Sequence, residues 1–224
     1  MDTEERYSAE MPKKSGGARR ESEALRRVFS AVSEVASEDA KLVGSAQEGD
    51  RQAFARLFEK YRQPAYGIAY RLLGRREDAL DAVQEAFVKA FVALATFRGG
   101  ASFKTWFFRI VTNCSLDLRR SRVIRQTMPL ESAGAQAGQA AQPGQGLERR
   151  ELKARIDAAL AEIPEANRTA FVLFAIQGVS YREIAEILNI SIGTVMSRIF
   201  YARQKLQKIL SQQERPQAGT GRGA

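Results

Sequence analysis

Three carboxylates, Asp78, Asp81 and Glu85, are spaced three and four residues apart, so a helix through them stacks all three on one face, with Lys89 just below. Such a face can meet a basic surface, or in principle hold a divalent cation. A cation needs ligands converging from several elements, and one helix face does not supply them. A second set follows. Trp106, Arg109, Asn113 and Arg120 form one stripe of a later helix, and an aromatic, an amide and two guanidiniums on one face can hold a nucleic acid strand. Between the sets lies Phe97-Arg98-Gly99-Gly100-Ala101-Ser102-Phe103, a helix stop and loop whose glycines permit close backbone approach.

The composition narrows the chemistry. Lys plus Arg number 35 against 26 acids, a net charge of +9, which suits a polyanionic partner. Residues 104–125 concentrate this charge, with Lys104, Arg109, Arg119, Arg120, Arg122 and Arg125 against Asp117 alone. The chain has no histidine and one cysteine, Cys114, so His-based triads, HExxH zinc sites and paired-cysteine metal sites are excluded. An intrachain disulfide is equally impossible, which fits a reducing cytoplasm. Cys114 falls among apolar positions and reads as a packed thiol. Charges at Arg19, Arg20, Glu21, Glu23, Arg26 and Arg27 interrupt any signal-peptide core, and no stretch has the length to span a bilayer. No small-molecule substrate or cofactor is implied, and membrane insertion is not expected.

These residues need helices to position them, and the periodicity predicts an all-α chain of two small helical domains joined by a flexible linker. Residues 1–37 read as a disordered or weakly helical tail, with an amphipathic segment over 21–36. Residues 38–125 form the first domain. Leu42, Val43 and Ala46 begin a helix, Gly49-Asp50 breaks it, and Phe54, Leu57, Phe58 and Tyr61 continue. Pro64 is expected to open another helix at its first turn, which Gly74 ends. Leu80, Val83, Phe87, Phe91 and Leu94 are the apolar stripe of the acidic helix, opposite its carboxylates. Ser102 caps the next helix, whose apolar side is Ile110, Val111, Cys114 and Leu118. Residues 126–146 are small, polar and Gly/Pro-bearing. As a coil, 127–146 averages about 25 Å end to end. The second domain spans 147–212, and 213–224 is a disordered tail.

The second domain carries a helix-turn-helix signal running from Tyr181 to Phe200. Ser180-Tyr181-Arg182-Glu183 is a capping box. Ile184, Ile187 and Leu188 give its helix an apolar face, and Asn189 sits where the turn wants a left-handed residue. Ser191 caps a second helix that buries Val195, Ile199, Ala202 and Leu206. Its outward face shows Gly193, Met196, Ser197, Phe200, Tyr201 and Gln204, flanked by Arg198, Arg203, Lys205 and Lys208 with no acid over 196–208. A basic second helix after a tight turn points to duplex DNA.

Asp81-Ala82-Val83-Gln84-Glu85-Ala86-Phe87, Phe97-Arg98-Gly99-Gly100, Phe103-Lys104-Thr105-Trp106 and Arg109-Ile110 closely resemble region 2 of the sigma-70 family, in its compact extracytoplasmic-function subgroup. Ile163-Pro164-Glu165, Gly178 to Ala185, Gly193-Thr194-Val195 and Ser197-Arg198 resemble that family's region 4. Nothing resembling region 3 lies between. The resemblance implies a bacterial transcription initiation factor, not an enzyme, working in the cytoplasm at the nucleoid. Its implied partners are core RNA polymerase, promoter DNA and an anti-sigma factor. Asp78, Asp81, Val83, Gln84, Glu85, Phe87 and Lys89 would bind core polymerase. Phe97, Arg98, Gly99, Ser102, Trp106, Arg109, Asn113 and Arg120 would hold the melted −10 element. Arg182, Ser191, Thr194, Met196, Ser197, Arg198, Phe200, Tyr201 and Arg203 would hold the −35 duplex. Some related sigma factors carry arginine where this chain has Met196 and Tyr201, so an arginine's bidentate guanine contact is absent at both. Two other classes compete. A stand-alone repressor or activator explains the helix-turn-helix but not the acidic and aromatic-basic faces of a separate domain. A nuclease would need a metal on Asp78, Asp81 and Glu85.

Overall fold

The computed structural model describes residues 36–127 and 147–213, and every regular element among them is helical. Helix α1 covers 36–47. It is followed by α2 (Arg51–Leu73), α3 (Arg76–Ala93), a 3-10 turn at Leu94–Thr96 and α4 (Phe103–Thr127). Next come α5 (Leu147–Ala161), α6 (Glu165–Phe171), a π turn at Val172–Ile176, α7 (Tyr181–Leu188) and α8 (Ile192–Gln213). The segment expected as amphipathic over 21–36 lies outside the described residues except at 36, as do most of the linker and the C-terminal tail.

Local chemistry sets most helix ends. Asp50 accepts from the Gln52 amide at 2.8 Å and starts α2, while Gly74 at φ 75° closes it with its N–H on the Tyr70 carbonyl. Ser102 Oγ accepts from the Thr105 amide at 3.1 Å and caps α4 as expected. Ser180 and Glu183 form the reciprocal capping box, and Asn189 takes φ 51°. Ser191 Oγ accepts from the Thr194 amide at 3.1 Å and caps α8.

Three sequence expectations are corrected. Pro64 opens no helix: α2 runs through it. Its missing N–H removes one intrahelical bond, and the helix is held there by tertiary packing, with Ala65, Ile68 and Ala69 buried just beyond. Leu80 and Phe91 do not belong to the buried stripe of α3. They are exposed, and the core takes Ala79, Ala82, Val83, Ala86, Phe87 and Ala90. Small alanines let α2 and α4 approach α3 closely on both flanks, so the buried face is centred on them. Residues 36 and 37 are helical, which a weakly helical tail allows, and Asp39 on α1 is buried against α2, where it accepts from Lys60 Nζ at 2.6 Å and from the Tyr61 hydroxyl. Burial, followed by the Asp39 bond, raises the Tyr61 pKa and keeps the phenol protonated. Finally, α4 continues to Thr127, two residues into the expected linker.

Aromatic packing fills the first module. Phe107 lies 4.5 Å from Phe87 and 5.8 Å from Phe103 between ring centroids, with Tyr61 edge-on at 6.0 Å. The two helical modules expected from the sequence pack against each other. One continuous core runs from Leu57, Ile68 and Phe107 through Leu173 and Val179 to Ile184, Val195 and Ile199. Pairs far apart in sequence stitch the seam. Gln177 Nε2 donates to the Pro64 carbonyl at 3.1 Å, and Arg119 pairs with Glu165 at 3.0 Å. Across the seam α4 packs on α7, and α2 on α5, α6 and the π turn.

Candidate nucleic-acid interface

The loop after α3 is built first. Gln47 at the end of α1 donates from Nε2 to the Leu94 carbonyl at 2.9 Å and the Phe97 carbonyl at 2.8 Å, pinning both sides of the 3-10 turn. Gly99 then takes φ 73°, a left-handed conformation that suits glycine. Arg98 and Ser102 are exposed on the loop. A glutamine at a helix end carries no sequence signal for a partner some fifty residues away.

Beyond the loop, Trp106 is half-buried, its ring 4.8 Å from Phe97 and 5.6 Å from Phe103. It therefore packs one side of the indole on the loop's anchor. Arg109, Asn113 and Arg120 are exposed. Arg120 pairs with Asp117 at 3.2 Å across one turn, a contact weak enough in water for phosphate to compete.

The carboxylates of α3 divide. Asp78 does not stand free with the others: it accepts from Arg122 Nη1 at 2.8 Å, both side chains being mostly covered. Its position in the first turn of α3 turns it toward α4, which the wheel of one helix does not reveal. Asp81, Gln84, Glu85 and Lys89 remain exposed, with Lys89 and Glu85 paired at 2.7 Å. Val83 and Phe87 are buried, so they act on a partner only by holding the helix. Leu80, Val88, Phe91 and Val92 add an exposed apolar surface to α3.

On the second module, α7 and α8 meet through Ile184, Ile187, Val195 and Ile199. Met196, Ser197, Phe200, Tyr201 and Arg203 face outward, as the wheel predicts, and Arg198 and Lys205 are half-buried beside them. Arg182 is exposed on α7, and Ser191 and Thr194 share a 2.9 Å hydroxyl contact at the start of α8.

The seam joins α4 to α7 and to the end of the π turn before it. Thr105 Oγ1 donates to Glu183 Oε1 at 3.0 Å, Arg109 Nη2 donates to the Glu186 carbonyl at 2.5 Å, and Lys104 Nζ donates to the Gln177 carbonyl at 3.4 Å. Burial acts to raise the Glu183 pKa, but bonds from the Ser180 hydroxyl and amide and from Thr105, with Lys104 nearby, outweigh it and hold the carboxyl below its ordinary value. Helix α7 thus engages one member of the α4 stripe, Arg109, while Asn113 stays open. A cleft of about 600 Å3 between α2, α4 and α5 is lined by Arg71, Arg119, Arg122 and Asp157, but Arg119 and Arg122 already have Glu165 and Asp78, so it reads as structure. Among the described residues no cluster of metal-ligating side chains occurs and no helix is long and apolar enough to cross a membrane.

Known proteins match both modules in order. Residues 57–123 match the family of sigma-70 region 2, and residues 153–206 that of sigma-70 region 4. The RNA polymerase sigma-H factor of Pseudomonas aeruginosa is 36% identical over 181 residues, covering 77% of this chain and 94% of that protein. The ECF RNA polymerase sigma factor SigW of Bacillus subtilis is 34% identical over 178 residues, covering 76% of this chain and 95% of its own. The structure of the sigma factor RpoE from Bartonella quintana, in complex with the anti-sigma factor NepR, aligns with a TM-score of 0.60 at 27% identity, over 70% of this chain and 96% of that one. With both modules present in the family's order and relatives matched over nearly their whole length, the chain belongs to the sigma-70 family, in its extracytoplasmic-function group of non-enzymatic transcription initiation factors.

Proposed function

We propose that this chain brings core RNA polymerase to its promoters, with the exposed face of α3 on the polymerase, the 97–102 loop and the α4 stripe on the melted −10 strand, and α8 on the −35 duplex. The observation that carries this reading is the pairing, in one chain, of an aromatic-basic strand face with a basic helix-turn-helix. On α3, Asp81, Gln84 and Glu85 offer polar contact and Leu80, Val88, Phe91 and Val92 apolar contact, a mixture that fits a protein surface better than a nucleic acid. On α4 and α8 the charge is basic. Asp78 is assigned a supporting part, holding α3 to α4 through Arg122.

Promoter binding requires the modules to part, because α7 lies on the α4 stripe. Two DNA elements about two helical turns apart are roughly 70 Å from each other, and the polymerase surface is the natural agent to hold the modules at that separation. An anti-sigma factor is the corresponding restraint, acting on the same seam or on the exposed face of α3. The site of action is the cytoplasm, at the nucleoid. The test is run-off transcription by core polymerase, with and without this protein, on promoter fragments from its own genome. Transcripts that depend on the protein and on both promoter elements are expected. Protection of a palindromic duplex by the protein alone would favour a stand-alone regulator instead.

A further inference from the structure

The outward face of α8 is unusual for a DNA reader in what stands at its centre. Met196, Phe200 and Tyr201 are 54%, 63% and 47% exposed, and no arginine, asparagine or glutamine lies between Met196 and Phe200 on that face. The positive charge lies at the margins, on Arg198, Arg203, Lys205 and Lys208. Ser197 is the polar group nearest the centre, and its hydroxyl is turned back onto the Thr194 carbonyl at 3.0 Å. The middle of the helix therefore presents a hydrophobic surface to whatever it meets, inside a basic frame.

Three large apolar side chains left in water need a reason. A basic frame without a single acid over residues 196–208 favours a polyanion over an ordinary protein surface. Within the major groove one base alone offers an apolar group: thymine, through its C5 methyl. Guanine is marked by O6 and N7 and is read by bidentate arginine or lysine, which this centre lacks. We propose that this chain reads its −35 element chiefly through thymine methyl groups packed on Met196 and Phe200, with Tyr201 closing one side. The inference rests on the assignment of α8 to the −35 duplex.

The spacing adds a constraint. Met196 and Phe200 are four residues apart, which at about 1.5 Å per residue is about 6 Å along the helix. That is close to two base-pair steps of about 3.4 Å, so the two side chains meet methyl groups about two steps apart. Arg198 and Arg203 flank them toward phosphate, where they add affinity but no sequence preference.

The experiment uses the full chain with core polymerase on promoter fragments whose −35 segment is randomised. Bound fragments are sequenced, and thymines in the selected sites are then replaced one at a time by deoxyuridine, which deletes only the methyl. Thymines enriched about two steps apart are expected, with holoenzyme binding lowered about fourfold for each methyl removed, equal to about 0.8 kcal/mol. Met196→Arg should move the preference at one position toward guanine. Both residues are exposed, so the variants keep the fold, and the deoxyuridine arm needs no variant. A defined −35 preference with no response to deoxyuridine would overturn methyl reading while leaving the −35 assignment standing. A selection that enriches no −35 sequence would overturn that assignment itself. If Phe200→Ala leaves the selected sequence and the deoxyuridine response unchanged, the apolar face serves a protein partner and the proposal fails.

Discussion

Thr105 on α4 donates a 3.0 Å hydrogen bond to Glu183 on α7, and the same carboxylate closes the capping box that starts the helix-turn-helix. One side chain thus stabilises the helix-turn-helix module and fastens it to α4 of the other. Thr105 is buried, so the bond is not readily exchanged for water. Thr105→Val keeps the shape and removes the donor. It is expected to cost the closed arrangement about 1.5–3 kcal/mol, the range for a bond to a charged group, and to leave α7 capped. Small-angle scattering on the variant should show a larger radius of gyration with unchanged helical circular dichroism.

Acid tests the same residue. The Glu183 carboxyl is held below its ordinary value, so it contributes stability that is full above the ordinary carboxylate pKa and is lost as the pH falls through its lowered folded value. Glu183→Gln removes that titration. Between about pH 6 and pH 3 the stability difference between wild type and Glu183→Gln should shrink as the pH falls, read by urea unfolding at each pH. A constant difference would mean the carboxylate charge is not what holds the seam.

Gly67 offers a third handle on the closure. A Cβ there would meet Gln177 Nε2 at 2.9 Å, and that amide is the group that reaches the Pro64 carbonyl. Gly67→Ala should stabilise helix α2 by up to about 1 kcal/mol through propensity yet displace Gln177. Hydrogen exchange should then be faster in α7 and slower or unchanged in α2.

The carboxylates of α3 should separate by assay. Asp81→Arg with Glu85→Arg is expected to weaken core-polymerase binding with helicity retained, since both side chains are exposed and losing the Glu85–Lys89 pair costs only about 0.5 kcal/mol. Asp78→Ala should instead lower stability by about 1–3 kcal/mol by leaving Arg122 without its covered partner. A double mutant that binds core as tightly as wild type would contradict the assignment of this face.

The features that depend on neighbours in sequence were legible. The Ser180–Glu183 box, left-handed Asn189, the Ser102 and Ser191 caps and the outward face of α8 all follow from residues within one or two turns. What depends on distant partners was not. Pro64 reads as a helix start because the local rule is strong, and α2 overrides it with its tertiary packing. The exposure of Leu80 and Phe91 was missed because hydrophobicity alone ranks them above alanine, while packing density prefers alanine between two close helices. Gln47 and the seam of Thr105, Arg109, Gln177 and Glu183 join residues 47 to 113 positions apart, and no periodicity encodes such pairs.

Promoter opening tests the central claim most directly. Gln47 pins the loop through the Leu94 and Phe97 carbonyls, and Asn113 stands exposed on the stripe that follows. Permanganate reactivity of the −10 thymines, with run-off yield, should be measured for wild type, Gln47→Ala and Asn113→Ala on a duplex promoter and on one already melted at −10. Loss of one base contact is worth about 1–3 kcal/mol, so Asn113→Ala should open the duplex promoter at least several-fold less well, and Gln47→Ala, which frees the loop, should shift it in the same direction. They should initiate nearly normally on the melted one. Equal losses on the two templates would mean that these residues serve folding or polymerase binding, and the strand-capture account would be wrong.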